Sequence, residues 1–428
     1  MRSPASRRPV ALVLAACTLM ATAVFGAAPT AQAQADPCDN RVSPPPAVDT
    51  SEQVAPGTKP PAPLAVPENP VGGERMGECG IVLPANARKP PDSITAEGWL
   101  LADLDSGAVL AAYDPHGRQR PASVMKVLLA MVVAKELSPD ATVAANADDI
   151  AQECTCIGLR NGAQYTVEQL LQALVMASGN DVAHALARRL GGLPSAIRKM
   201  NALAMELGAL DTRAVTPSGL DAPGTSTSAY DVALIFRAAM KYPDFARAVV
   251  TQRIDFPAPN GVGTVPVLND NKLLTSYEGS LGGRSGFTDD AQHTYVGAAQ
   301  RNGRKLVVVL LRGRQAPIKM TDQATQLLDY GFELPSGAPV GRLVDGAPQA
   351  KKRTQEADSS PTSANVGQVA ESRNTSNTAM SKAFGNVGGP ITAVAVLGLV
   401  LGFVMYLRSK KAKAARAARA AAQARQTG

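Results

Sequence analysis

The 428-residue chain carries 43 Lys and Arg against 36 Asp and Glu, a formal net charge of +7, and is longer than one ordinary catalytic domain requires. Much of the basic excess lies at the two ends, and no basic surface interleaved with aromatic residues appears between them. That pattern excludes a nucleic-acid-binding reading.

Taken from the N-terminus, Arg2, Arg7 and Arg8 precede an apolar run over 9–28 and the small residues Ala31 and Ala33. This layout predicts a secretory signal over 1–33, with cleavage after Ala33 or Ala35. Leu14-Ala15-Ala16-Cys17 also fits a lipobox, but the apolar run continues through Thr18 to Phe25, where a lipoprotein signal turns polar. With Cys17 in that signal, Cys38, Cys79, Cys154 and Cys156 are expected in an oxidising compartment, where disulfides persist. Spacing alone does not choose their pairing. Cys154-Thr155-Cys156 suits a local bridge, and with only three scattered histidines zinc binding is the poorer explanation.

Residues 34–91 are dense in proline and lack apolar periodicity, which predicts an extended arm or spacer with no core of its own. A folded domain is expected over 92–335. It opens with strands at 99–104 and 108–113 about Asp105-Ser106-Gly107. A helix over 124–137 is apolar on nearly every side and should be buried all round. Two helices within 166–190 are split at Ser178-Gly179-Asn180, where glycine interrupts the period. Strands at 294–299 and 306–311 flank Asn302-Gly303, the strongest short hairpin signal. Strands at both ends with helices between predict an α+β fold, one antiparallel sheet covered by helices.

Beyond Pro335 the chain turns polar, and 336–388 reads as a disordered linker. Residues 389–407 then read as a transmembrane helix, uncharged from 391 on and barely long enough to span. Arg408, Lys410, Lys411, Lys413, Arg416 and Arg419 follow at once, so 408–428 reads as a basic cytoplasmic tail with the folded domain outside. The predicted location is the cell membrane, with a single pass and an extracellular catalytic domain.

Ser123-Val124-Met125-Lys126 is the only S-x-x-K in the chain. Helical spacing of three places the lysine amine beside the serine hydroxyl. A hydroxyl needs a base to become a nucleophile, and burial lowers a lysine's pKa toward that use. A capping serine with a snorkelling lysine explains the same four residues when they stand alone. Ser178-Gly179-Asn180 adds a hydroxyl and an amide at a break between helices. Arg284-Ser285-Gly286, before Phe287, places a cation, a hydroxyl and bare backbone on an expected strand. His116, His184 and His293 receive no role.

In this order the three elements resemble the active-site set of penicillin-binding proteins and β-lactamases. The surrounding phrases narrow the resemblance to the low-molecular-weight D-alanyl-D-alanine carboxypeptidases, serine peptidase family S11. They are Pro121-Ala122-Ser123-Val124-Met125-Lys126, Thr166-Val167-Glu168-Gln169-Leu170-Leu171, Asn269-Asp270-Asn271-Lys272 and Gly286-Phe287-Thr288-Asp289. The likeness covers 94–311.

The resemblance implies a β-lactamase/transpeptidase-like fold and a penicillin-binding serine carboxypeptidase. Such an enzyme removes the terminal D-Ala of peptidoglycan stem peptides through an acyl-enzyme, without metal or cofactor, and β-lactam antibiotics acylate it. It makes Ser123 the nucleophile, Lys126 the general base, Ser178 a proton relay, and Asn180 an orienting group for Lys126 and the substrate amide. Arg284, Ser285, Gly286 and Phe287 would bind substrate, with the N–H groups of Ser123 and Phe287 as oxyanion hole. One departure stands out: Arg284 and Ser285 occupy the places of the family's lysine and threonine. Arginine keeps the charge and can grip a carboxylate, but it gives up no proton. Two other readings remain: a β-lactamase, which lacks a clear E-x-x-L-N phrase near Glu168, and a wall-peptide-binding pseudoenzyme.

Overall fold

A strand that is apolar at consecutive positions has to be covered on both faces. In the computed structural model, which describes residue 38 and residues 40–153, 155–335 and 337–347, the central strands meet that condition. The strands in chain order are β1 (Ile81–Val82), β2 (Gly98–Asp103), β3 (Ala108–Tyr113), β4 (Thr142–Ala144), β5 (Gln164–Thr166), β6 (Arg253–Pro257), β7 (Thr264–Leu268), β8 (Ser280–Thr288), β9 (Gln292–Arg301), β10 (Arg304–Gly313) and β11 (Gly341–Arg342). The α-helices are α1 (Lys126–Glu136), α2 (Ala147–Ile150), α3 (Val167–Ala177), α4 (Asn180–Arg189), α5 (Leu193–Leu207), α6 (Ala229–Ala239), α7 (Pro243–Val250), α8 (Leu273–Ser276) and α9 (Met320–Glu333).

The main sheet runs β1-β3-β2-β10-β9-β8 with antiparallel pairing, and β11 adds to β3. Along β10 the period of two sends Val307, Val309 and Leu311 into the larger core, shared with α1, α3, α4 and α6. Leu306, Val308 and Leu310 enter the smaller one, which α9 covers with Leu327 and Leu328. The expected α+β architecture is therefore present. β9 and β10 pair from Arg301 and Arg304 outward. The turn between them holds Asn302 at φ 49° and Gly303 at φ 81°, as the dipeptide demanded. In α1 every residue from Lys126 to Val133 is buried, which is why its apolar residues show no one-sided stripe.

Two expectations need correction. The proline-rich segment is extended but is not a free spacer, because the domain grips its backbone. Buried Arg118 donates to the carbonyls of Val42 (2.6 Å), Leu64 (2.7 Å) and Ala65 (3.0 Å). Arg120 donates to Pro45 O at 2.7 Å and forms a two-pronged pair with Glu52. Val71 and Met76 of the arm also join the main core. Proline removes donors but leaves carbonyls, so a carbonyl-rich strand suits arginine forks. Cys38 and Cys79 close the arm with a disulfide, and Cys156 is disulfide-bonded as well.

At the C-terminal edge the folded domain does not give way to the linker at Pro335. Gly341 and Arg342 instead pair with Val109 and Ala108, Tyr230 donates to Arg342 O at 2.8 Å, and Leu343 is fully buried. The predicted signal peptide, transmembrane helix and basic tail lie outside the described residues.

Candidate active site

The nucleophile candidate sits at a strained corner. Ala122 adopts φ 48°, rare for a residue with a Cβ, and opens a 3₁₀ turn, Ala122–Met125, that delivers Ser123 at the mouth of α1. α1 itself begins at Lys126, later than the expected helix start. Lys126 Nζ lies 2.8 Å from Ser123 Oγ and 3.0 Å from the carbonyl of Ser218. The lysine is 1% exposed. Burial, and then the nearby charge of Arg284, push its pKa well below the ordinary lysine value.

The second element comes from the break between α3 and α4. Ser178 closes α3 in the left-handed conformation (φ 63°), which turns its side chain out of the helical path. Its Oγ is buried and without a hydrogen-bond partner among the described residues, and so is Oδ1 of Asn180. Asn180 does not bond Lys126 in this arrangement. Its Nδ2 donates to Glu153 O at 2.6 Å and its backbone N–H to Thr155 O at 2.7 Å, tying the second element to both residues.

The third element lies on β8, the edge strand beside the nucleophile's turn. A Cβ on Gly286 would stand 2.6 Å from Ser123 N and 2.7 Å from Thr294 Oγ1, so only glycine lets the strand approach this closely. Thr294 donates to Pro121 O at 2.9 Å and pins β9 to the same turn. Phe287 is 52% exposed and rests on the ring of His293.

Arg284 departs from the expected grip on a substrate carboxylate. It is 3% exposed and spends its donors inside the protein: on the Asp270 carboxylate, on Val175 O (2.9 Å) and on Ser285 O (3.1 Å). Its influence on the site is that of a fixed buried charge beside Lys126.

A cavity of about 340 Å³ opens over Ser123, lined also by Asn180, Thr155, Gly219, Phe287 and Thr288. Asp49, Ser51, Glu153, Asp221 and Asp289 line it too, and none of them belongs to the three sequence elements. Asp289 stood inside a phrase that carried the resemblance, whereas Asp49 and Ser51 belong to the arm, whose composition carried no signal for a site. The Ser218 carbonyl was equally unforeseen, since backbone acceptors leave no mark in a sequence.

The family model described as D-alanyl-D-alanine carboxypeptidase (Peptidase S11) matches residues 85–315. The chain belongs to this family. It is 45% identical over 266 residues to the D-alanyl-D-alanine carboxypeptidase DacB2 of Mycobacterium tuberculosis, covering 61% of this chain and 90% of that protein. DacF of Bacillus subtilis, a D-alanyl-D-alanine carboxypeptidase, is 27% identical over 243 residues, covering 55% of this chain and 62% of that protein. Among solved structures, a D-alanyl-D-alanine carboxypeptidase of Mycobacterium tuberculosis superposes with a TM-score of 0.59 at 44% identity, covering 61% of this chain and 100% of that one. The Streptomyces K15 DD-transpeptidase superposes with a TM-score of 0.54 at 29% identity, covering 58% of this chain and 100% of that one. The matched residues, 85–315, fall within the folded domain described above.

Proposed function

We propose that the protein is a serine D-alanyl-D-alanine carboxypeptidase that trims the terminal D-Ala from peptidoglycan stem peptides. The observation that carries this reading is the buried Lys126 amine 2.8 Å from Ser123 Oγ. In its neutral form Lys126 takes the hydroxyl proton as Ser123 Oγ bonds to the penultimate D-Ala carbonyl carbon. The backbone N–H groups of Ser123 and Phe287 face the oxygen that gains charge. Ser178 passes the proton to the departing D-Ala nitrogen as the peptide bond breaks, and water then cleaves the acyl-enzyme by the reverse route. Asn180, whose Oδ1 has no partner among the described residues, offers an acceptor to the substrate amide. A β-lactam ring, itself a strained amide, acylates Ser123 in the same way.

Arg284 enters this scheme as a permanent cation that, together with burial, keeps Lys126 neutral enough to act as base. Ser285, Gly286 and Phe287 then offer the exposed edge of β8 to the peptide. The reading separates from a β-lactamase or a binding pseudoenzyme in one pair of assays. Fluorescent penicillin is expected to label the protein, and a D-Ala-D-Ala peptide to release D-Ala. Labelling without peptide hydrolysis would favour the β-lactamase, and neither would favour the pseudoenzyme.

The setting proposed for this activity is the outer face of the cell membrane. The supports are sequence features: the signal pattern over 1–33, the uncharged stretch at 391–407 and the basic residues after it. Among the described residues no helix is long and apolar enough to cross a membrane, and 389–428 lie outside them. Protease added to intact cells should remove the domain bearing Ser123 and spare a C-terminal tag. Loss of the tag would overturn this topology.

A further inference from the structure

The cavity over Ser123 is acidic. Asp49, Glu153, Asp221 and Asp289 all line it, and among the described residues no lysine or arginine does. Of the basic groups behind it, Lys126 is buried against Ser123 Oγ, and Arg120 and Arg284 are paired with Glu52 and Asp270. Three of the four acids, Asp49, Glu153 and Asp289, are exposed. Asp221 is half-buried and accepts from Thr288 Oγ1 at 2.9 Å.

Asp49 comes from the proline-rich arm, and its place is built rather than incidental. Asp290, fully buried beneath the rim, accepts from the Val48 N–H and, at 2.8 Å, from Ser51 Oγ. Glu52 is held by buried Arg120. The arm is thus fixed on both sides of Asp49. Within that span Asp49 Oδ1 accepts from Ser51 N at 2.8 Å, which keeps its carboxyl below the usual carboxylate range and charged. Asn180, 5% exposed and with no partner for its Oδ1 among the described residues, lines the same cavity and presents one more acceptor.

This is not the geometry of a metal site. Among the described residues, the group of His, Cys, Asp and Glu close enough to share an ion is His116, Asp211 and Asp231, away from the cavity. There both ring nitrogens of His116 already face acceptors, Asp211 and Val71 O, so neither has a lone pair to offer. Carboxylates spread around a rim suit instead an ammonium on a flexible chain, which each can approach in turn.

Building on the carboxypeptidase reading, we infer that the N-terminal arm is part of the substrate site. Asp49, with Glu153 and Asp289, selects stem peptides whose diamino acid keeps a free side-chain ammonium. The preferred substrate is then an uncross-linked peptide ending in D-Ala-D-Ala, since cross-linking or acylation converts that ammonium to a neutral amide.

The test uses the full chain and two peptides ending in D-Ala-D-Ala, one with L-lysine before that pair and one with Nε-acetyl-lysine. The unmutated protein should show a higher kcat/KM on the free-amine peptide, a preference that shrinks with added salt. Each exposed carboxylate is expected to contribute roughly two- to fivefold. Asp49→Asn, which keeps an acceptor for Ser51 N, should narrow the preference by that factor, and Asp49→Asn/Asp289→Asn should narrow it further. Equal kcat/KM on the two peptides, or a preference untouched by Asp49→Asn, would overturn this inference alone. Hydrolysis of neither peptide by the unmutated, folded protein would overturn the carboxypeptidase reading and this inference with it.

Discussion

Lys126 Nζ stands 2.8 Å from Ser123 Oγ and 3.0 Å from Ser218 O, so a hydroxyl and a carbonyl hold the amine, with no carboxylate of the described residues in direct contact. A salt-bridged lysine would keep its proton, whereas this one is buried and close to the cation of Arg284. Both push its pKa down, burial first. Because the neutral amine is the active form, acylation by a β-lactam should speed up as pH rises through the lowered pKa and level off above it. An ordinary lysine would place that rise near pH 10.4. Stopped-flow acylation rates across pH check the sign. Lys126→Arg, which holds its proton throughout, should lose acylation over the whole range.

Arg284 acts on the same profile from behind the site. Arg284→Ala removes a buried cation and should move the inflection to higher pH, while Arg284→Lys should stay closer to the unmutated curve. Because its donors are spent on Asp270, Val175 and Ser285, the loss in Arg284→Ala should fall alike on a peptide with a free carboxylate and on a small uncharged ester. The buried Val175 carbonyl, left without its donor, should lower stability by about 1–3 kcal/mol in urea titrations.

Gly286 is the point where β8 touches the nucleophile's turn. Gly286→Ala should leave the sheet intact at a cost of about 1–3 kcal/mol. The added Cβ, built 2.6 Å from Ser123 N, should displace the turn and lower acylation on the order of a hundredfold. Thermal unfolding and labelling rates, measured together, separate the two effects.

The Cys38–Cys79 disulfide closes a loop with a sequence separation of 41. Replacing both cysteines with serine should cost about 4 kcal/mol on the chain-entropy account. The arm should then be cut by protease earlier than the domain, which keeps its own core.

Much of this architecture could be read from local pattern. The β2–β3 hairpin, the buried helix after Ser123, the break at Ser178 and the Asn302-Gly303 turn each rest on residues close together in sequence, where periodicity and turn chemistry act directly. What stayed hidden depends on distant partners. Arg118 and Arg120 reach carbonyls more than fifty residues upstream, and an acceptor carbonyl is the same atom in every residue. The two-residue strand β11 is too short to show a period. Arg284 was recognisable as a charge, but its burial against Asp270 follows from how β8 packs, which no four-residue motif encodes.

The central claim is that Ser123 is the acylated residue. Incubating the full chain with a penicillin and locating the adduct by peptide mass spectrometry tests it most directly. The account predicts a single acyl adduct on the peptide containing Ser123, absent from Ser123→Ala although that variant unfolds with the same cooperativity. An adduct on any other residue, or one that persists in Ser123→Ala, would contradict it.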